Sequence, residues 1–125
     1  MTIPNSLKTQ VGGSHYKKYR HQPLEFAEKH GLSPIIFCIF KYVCRYKDKQ
    51  KPVEDLQKAL HCINIFVECG KEKGILYNID QLSDFITQFD KEHGKAIFDV
   101  LRLQGDKNKA DEARTSINLL LQGVQ

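Results

Sequence analysis

Four ionisable residues carry the chemistry this sequence offers most directly. In "FKYVCRYKDKQKPVEDLQKALH", Phe40 to His61, Lys41 and Arg45 stand one helical turn apart inside an apolar run. Asp55 and Lys58 follow beyond a short polar break. At 100° per residue the first part winds into a helix whose polar sector holds only Cys38, Lys41, Arg45 and Asp48. Ile35, Ile39, Tyr42 and Tyr46 make one apolar stripe, and Ile36, Phe40 and Val43 make the next. A surface helix shows a broad polar face. This one has a narrow polar line on an apolar cylinder, which predicts a central helix whose cations require anions, because a buried unpaired charge is costly.

The following helix supplies one anion. Asp55, Lys58, Cys62 and Cys69 share a face, while Val53, Leu56, Leu60, Ile63 and Val67 form the main apolar stripe, with Ala59 and Phe66 between the two. A tight antiparallel turn at 47–51 sets Arg45 level with Asp55, and Lys41 level with Lys58 or Ala59. Two readings stay open. In one, an Arg45–Asp55 salt bridge closes the hairpin, Asp55 also complements the helix macrodipole, and the two lysines reach out to water. In the other, three cations surround one acid, and the uncompensated positive charge is a seat for a phosphate.

Other chemistry has less support. "GGSHY" can wrap an anion with backbone N–H groups, yet no G-x-x-x-x-G-K-[ST] accompanies it. His15 and Tyr16 either stack on a base or pin the N-terminal arm. His61, Cys62 and Cys69 fit no common zinc spacing, so no metal site is expected, and His61 reads as an ordinary helix residue. No arrangement of serine, cysteine and histidine supports a nucleophilic hydrolase. Glu54 and Asp55 are adjacent and do not share a helix face, so the paired-carboxylate magnesium site of all-α nucleotide pyrophosphatases is missing.

Helices must position these groups. Pro23 opens a short helix ending near Gly31, and Ser33-Pro34 opens the second, to about Tyr46. Pro52 opens a third, to about Cys69, before "GKEKG" stops it. Leu82, Phe85, Ile86 and Phe89 mark a fourth that ends by Gly94. Ile97, Val100 and Leu101 suggest a short fifth, and Ala110, Ala113, Ile117, Leu120 and Leu121 a sixth. No segment alternates with period two, so the expected class is all-α. The organisation is an irregular arm over 1–20, a helical hairpin core over 21–70 and a C-terminal helical extension of the same domain over 71–125. "DKQKPVEDLQKALHCINIF" and "DKNKADEARTSINLL" share a D-K-x-K loop, an acidic opening and an I-N-aliphatic end, with a gap of four residues. A duplicated hairpin would produce this echo, and so would coincidence among common helix residues.

Composition bounds the partners. Of the 125 residues, 41% are hydrophobic, enough for a core, and the net charge of +4 contains no long basic run that would argue for duplex nucleic acid. No apolar stretch approaches the roughly 20 residues of a membrane span. The four cysteines form no C-x-x-C pair and the opening "MTIPNSLKTQ" is polar. Reduced thiols in a cytoplasm are the expectation.

The stretches "GGSHYKKYRHQPLEF" and "FKYVCRYKDKQKPVEDLQKA" resemble the SaV-like family of small bacteriophage proteins. Its pattern runs H-Y, an I-x-P-like element, G-N-x-x-K-Y-x-x-R, a lysine, then D-L-x-K-A-x-x-Y. The matching positions are His15, Tyr16, Pro23, Lys41, Tyr42, Arg45, Lys49, Asp55, Leu56, Lys58 and Ala59, within about residues 12 to 68. That family includes a coliphage kinase of deoxynucleoside monophosphates that lacks a P-loop. The resemblance implies a phage-encoded, nucleotide-binding, homo-oligomeric helical protein acting in the host cytoplasm. A homo-oligomer also agrees with the wide apolar arc of the third helix, to which Ile65 adds a patch opposite.

As a kinase-type enzyme with no covalently bound cofactor, it would clamp phosphates with Lys41, Arg45 and Lys58, with Tyr42 and Lys49 beside them. His15 and Tyr16 would hold a base or sugar, and Asp55 would orient Arg45 or accept a proton. Two positions depart from the pattern: Phe37-Cys38 replaces Gly-Asn, and Cys62 replaces a tyrosine. These losses favour two alternatives. One is a non-catalytic sponge sequestering a nucleotide-derived host immune signal. The other is a module binding a host protein through the C-terminal helices.

Overall fold

The computed structural model describes residues 19–48, 50–75 and 78–125, and these form an all-α domain. The six α-helices are α1 (Pro23–His30), α2 (Pro34–Arg45), α3 (Pro52–Cys69), α4 (Ile79–Ile86), α5 (Lys91–Leu103) and α6 (Ala110–Val124). No strand occurs among the described residues. The expected arm over 1–20 lies largely outside them, as do His15, Tyr16 and Lys49.

The helix ends follow local chemistry. Prolines open α1, α2 and α3, where the missing N–H loses nothing. Ser33 caps α2 by accepting the Ile36 N–H, Asn78 caps α4, and Asp90 caps α5 through the His93 N–H. Gly31 ends α1 at φ 67°, the left-handed conformation that glycine adopts without penalty.

Three boundaries differ from the sequence reading. The second helix stops at Arg45, and Tyr46–Asp48 tightens into a 3-10 turn. The fourth helix ends at Ile86, well before Gly94, because Asp90 starts a new helix. Gly94 lies inside α5, where a Cβ would come within 2.9 Å of Ile86 Cγ2. It is a close-packing residue and no terminator. The fifth helix is accordingly a full 13 residues, not short.

Two helical hairpins, α2–α3 and α5–α6, lie side by side, with α2 against α5 and α3 against α6. Each turns through a short 3-10 segment, Tyr46–Asp48 and Lys107–Lys109, at a D-K-x-K stretch. The repeat extends into the preceding helices. Ile39-Phe40 and Asp48-Lys49 recur as Ile97-Phe98 and Asp106-Lys107 at an offset of 58, whereas Ile63-Asn64 recurs as Ile117-Asn118 at an offset of 54. A duplicated hairpin would produce this pairing, and so would coincidence between two helical hairpins.

One continuous core draws on all six helices. As expected, α2 is central: no residue from Ile35 to Tyr46 is exposed. On α3 the buried line is Leu56, Ala59, Ile63 and Phe66, while Val53, Leu60 and Val67 are half-buried. The inward face is therefore rotated from the expected stripe toward Ala59 and Phe66. Phe85 of α4 packs 4.5 Å from Phe26 and 5.4 Å from Phe40, ring centre to ring centre, tying α1, α2 and α4 together.

Gln104 is fully buried just past α5 and joins the hairpins. Its Oε1 accepts the Ser33 N–H at 2.7 Å, and its Nε2 donates to the Gly31 carbonyl at 3.1 Å. Gln104→Leu keeps the bulk but leaves both backbone groups unpaired. A loss of about 1–3 kcal/mol is expected in urea unfolding, with the helical circular dichroism of the folded state unchanged.

Candidate functional site

The α2–α3 seam assembles the predicted cluster around one aromatic ring. Tyr42 sits half-buried on α2, one residue past Lys41 and three before Arg45. From its ring centre, Arg45 Cζ lies at 5.1 Å, Lys41 Nζ at 5.4 Å and Lys58 Nζ at 5.8 Å. All three are within cation–π range, so the ring face holds them together against their mutual repulsion. Lys41 Nζ also stands 6.0 Å from the Phe37 ring.

The anions are fewer. Asp55, buried in the first turn of α3, faces Arg45 across the seam with Nε–Oδ2 at 3.6 Å. That is an ion pair but too long for a hydrogen bond, and both atoms are buried without a hydrogen-bond partner. Lys58 leans back to the exposed Glu54 at 3.4 Å, and Lys51 shares that carboxylate at 3.7 Å. The hydrogen bond and charge of Lys58, then the charge of Lys51, hold the Glu54 carboxyl below its ordinary range. Among the described residues Lys41 has no carboxylate within ion-pair distance. Two buried polar atoms lack bonds and one ammonium lacks a counterion. The arrangement can receive an anion with several charge-assisted donors.

Lys41, Tyr42, Arg45, Asp55 and Lys58 are thus brought together. His15, Tyr16 and Lys49 lie outside the described residues. Asp48, expected on the same polar line, instead faces the other side of α2. There its Oδ2 accepts from the Tyr19 hydroxyl at 3.0 Å, and the same hydroxyl reaches the Cys44 carbonyl at 3.3 Å. Among the described residues no group of three or more histidine, cysteine, aspartate or glutamate side chains is arranged to hold a metal ion. His61 is exposed.

Sequence reasoning missed a second concavity, of about 460 Å³, between Tyr19–Arg20, Lys47–Asp48, Gln88–Asp90 and His93. Its lining shares no residue with the cluster. Its parts come from three distant segments, and the Asp90 cap that signals its position was hidden by reading Gly94 as a stop. Lys47 pairs there with Asp90. His93 Nε2 lies against the Val43 carbonyl, which can only accept, so Nε2 carries the proton and Nδ1 of the neutral ring is an acceptor.

A family model described as a protein of unknown function (DUF3310) matches residues 10–64. The matched span holds every residue of the cluster and ends within α3, leaving α4, α5 and α6 outside. No curated protein and no solved structure matches the chain.

Burial holds the His93 pKa below its ordinary value of 6.5; the bond to Val43 opposes this, the Lys47 charge assists, and the Asp90 and Asp48 charges oppose. The unfolded chain therefore binds a proton that the folded chain refuses. This contribution is complete above the unfolded pKa and is lost as pH falls through it toward the folded value. The melting temperature should fall between about pH 7.5 and pH 5.5. In His93→Gln, which retains a donor for Val43, that decline should be visibly shallower in thermal melts across the same range.

Proposed function

We propose that the α2–α3 seam binds the phosphate of a nucleotide, with kinase-type transfer to a deoxynucleoside monophosphate as its specific form. The observation that carries this is the convergence of Lys41, Arg45 and Lys58 on the Tyr42 ring against the single buried acid Asp55. An anion placed there replaces the long Arg45–Asp55 contact with direct hydrogen bonds and neutralises Lys41. Phosphoryl transfer relies chiefly on such positioning and charge stabilisation, and asks little covalent chemistry of the protein. Arg45 clamps and Asp55 orients it or takes the acceptor's proton. The resemblance to the SaV-like phage proteins supplies the nucleotide and the phage context in this reading. In this reading a homo-oligomer would draw on the half-buried Ile65 of α3, opposite the Val53, Leu60 and Val67 stripe that packs on the core.

A binding-only sponge is the second reading, favoured by Cys38 and Cys62. Both thiols flank the cluster where the resembling pattern has an amide and a phenol, so the side chains that would align an acceptor are poorer donors.

Calorimetric titration with deoxynucleoside monophosphates separates these ideas. Lys41→Ala should weaken binding at least about tenfold while shifting stability by no more than about 0.5 kcal/mol, since Lys41 makes no ion pair among the described residues. Arg45→Ala should abolish binding and cost about 1–3 kcal/mol of stability. If both variants bind as the parent does and only Arg45→Ala melts lower, the cluster is a structural latch. Binding with no phosphate transfer from ATP selects the sponge.

A further inference from the structure

The register of the hairpin places two thiols opposite each other at the cluster's edge. Arg45 and Asp55 face across the seam, and Lys41 and Lys58 share the Tyr42 ring, which fixes α2 and α3 as antiparallel and in step. Cys38 lies seven residues before Arg45 on α2, and Cys62 lies seven residues after Asp55 on α3. Seven residues make two turns, so each cysteine returns to the line of its charged neighbour at the same height along the pair. Both are free and half-buried, whereas Cys44 is buried and Cys69 is exposed farther along α3. Their proximity is also electrical. Burial raises the Cys62 thiol above its ordinary range, the charge of Cys38 raises it further, and the charge of Lys41 opposes.

We propose that Cys38 and Cys62 are a dithiol modification site that forms a reversible disulfide across the α2–α3 seam by exchange with a small-molecule disulfide. One protein thiolate attacks a sulfur of the small disulfide, giving a mixed disulfide and releasing one small thiolate. The second protein thiolate then attacks the protein sulfur of that intermediate and releases the other. Two protein thiols are oxidised, one small disulfide is reduced to two thiols, and the protons pass from the former to the latter. The crosslink lies beside Lys41, ties both walls of the cation cluster and consumes two S–H donors. As a control on anion binding it rests on the reading given under the proposed function. The crosslink itself does not.

The test uses the whole chain carrying Cys69→Ser, treated with glutathione disulfide and mapped by peptide mass spectrometry. A Cys38–Cys62 crosslink is expected, reversed by dithiothreitol, with the melting temperature about 10 °C higher in the oxidised form. Cys38→Ser and Cys62→Ser should each leave the other cysteine as a stable glutathione adduct. Glutathione on both cysteines with no crosslinked peptide overturns the site, as does a crosslink formed only in urea. For the control, oxidised protein should bind a deoxynucleoside monophosphate about fivefold more weakly. Equal affinity in the two forms overturns the control. Absence of nucleotide binding in the reduced form overturns the phosphate reading, while the peptide map still decides the thiol pair.

Discussion

The structure depends on a helix that has almost no surface to give to water and yet carries permanent charge. α2 is covered by α1, α3 and α5, so its narrow polar line can emerge only along the seam with α3. A guanidinium in that position must meet an anion, and Asp55 is the one that α3 brings to the right height. The pairing fixes the hairpin register, and the register decides what else is adjacent. Lys41 and Lys58 come to the same ring, and Cys38 comes opposite Cys62.

The second hairpin solves the same geometric problem with inverted charge. At the offset of 58 that relates the two turns, Asp99 stands where α2 has Lys41 and Ser116 where α3 has Lys58. Asp99 is buried, and its Oδ2 accepts from the Lys95 ammonium at 2.6 Å and from the Ser116 hydroxyl, while its Oδ1 is buried without a hydrogen-bond partner. In α5–α6 the acid thus finds its cation on its own helix. In α2–α3 the cations outnumber the buried acid and the network stays open. The two hairpins thus differ in sign: the first leaves cationic donors uncommitted, and the second leaves one carboxylate oxygen.

Much of this was legible in the sequence because it depends on local chemistry. Proline and serine at helix starts, glycine after α1 and the apolar cylinder of α2 each have one physical reading, and the level placement of Arg45 and Asp55 follows from a short turn. What was not legible required knowing which distant segment packs where. Gly94 looked like a stop because an isolated glycine usually weakens a helix. Its reason for being inside α5 is the approach of Ile86, which no local pattern announces. The rotation of the α3 stripe toward Ala59 and Phe66 has a similar origin: α6 packs on that flank, and the small Ala59 lets the helices come close. The Tyr19–His93 concavity joins three segments and has no signature in any one of them.

The open network also bears on how much chemistry the proposed site supports. An anion bound at Tyr42 meets donors from both helices, so it bridges them, and the free energy of binding is divided between holding the ligand and holding the seam. Asp55 is the cluster's only buried acid and it already answers Arg45. To act on an acceptor it must release that cation to the incoming phosphate, which couples any proton transfer to phosphate binding at the same guanidinium. Such coupling suits a kinase, because the acid is uncovered only when a phosphate has arrived. It costs a sponge nothing, since the same exchange simply tightens retention. The difference between the two lies therefore in whether the Cys38 and Cys62 edge can align an acceptor, more than in the cations themselves.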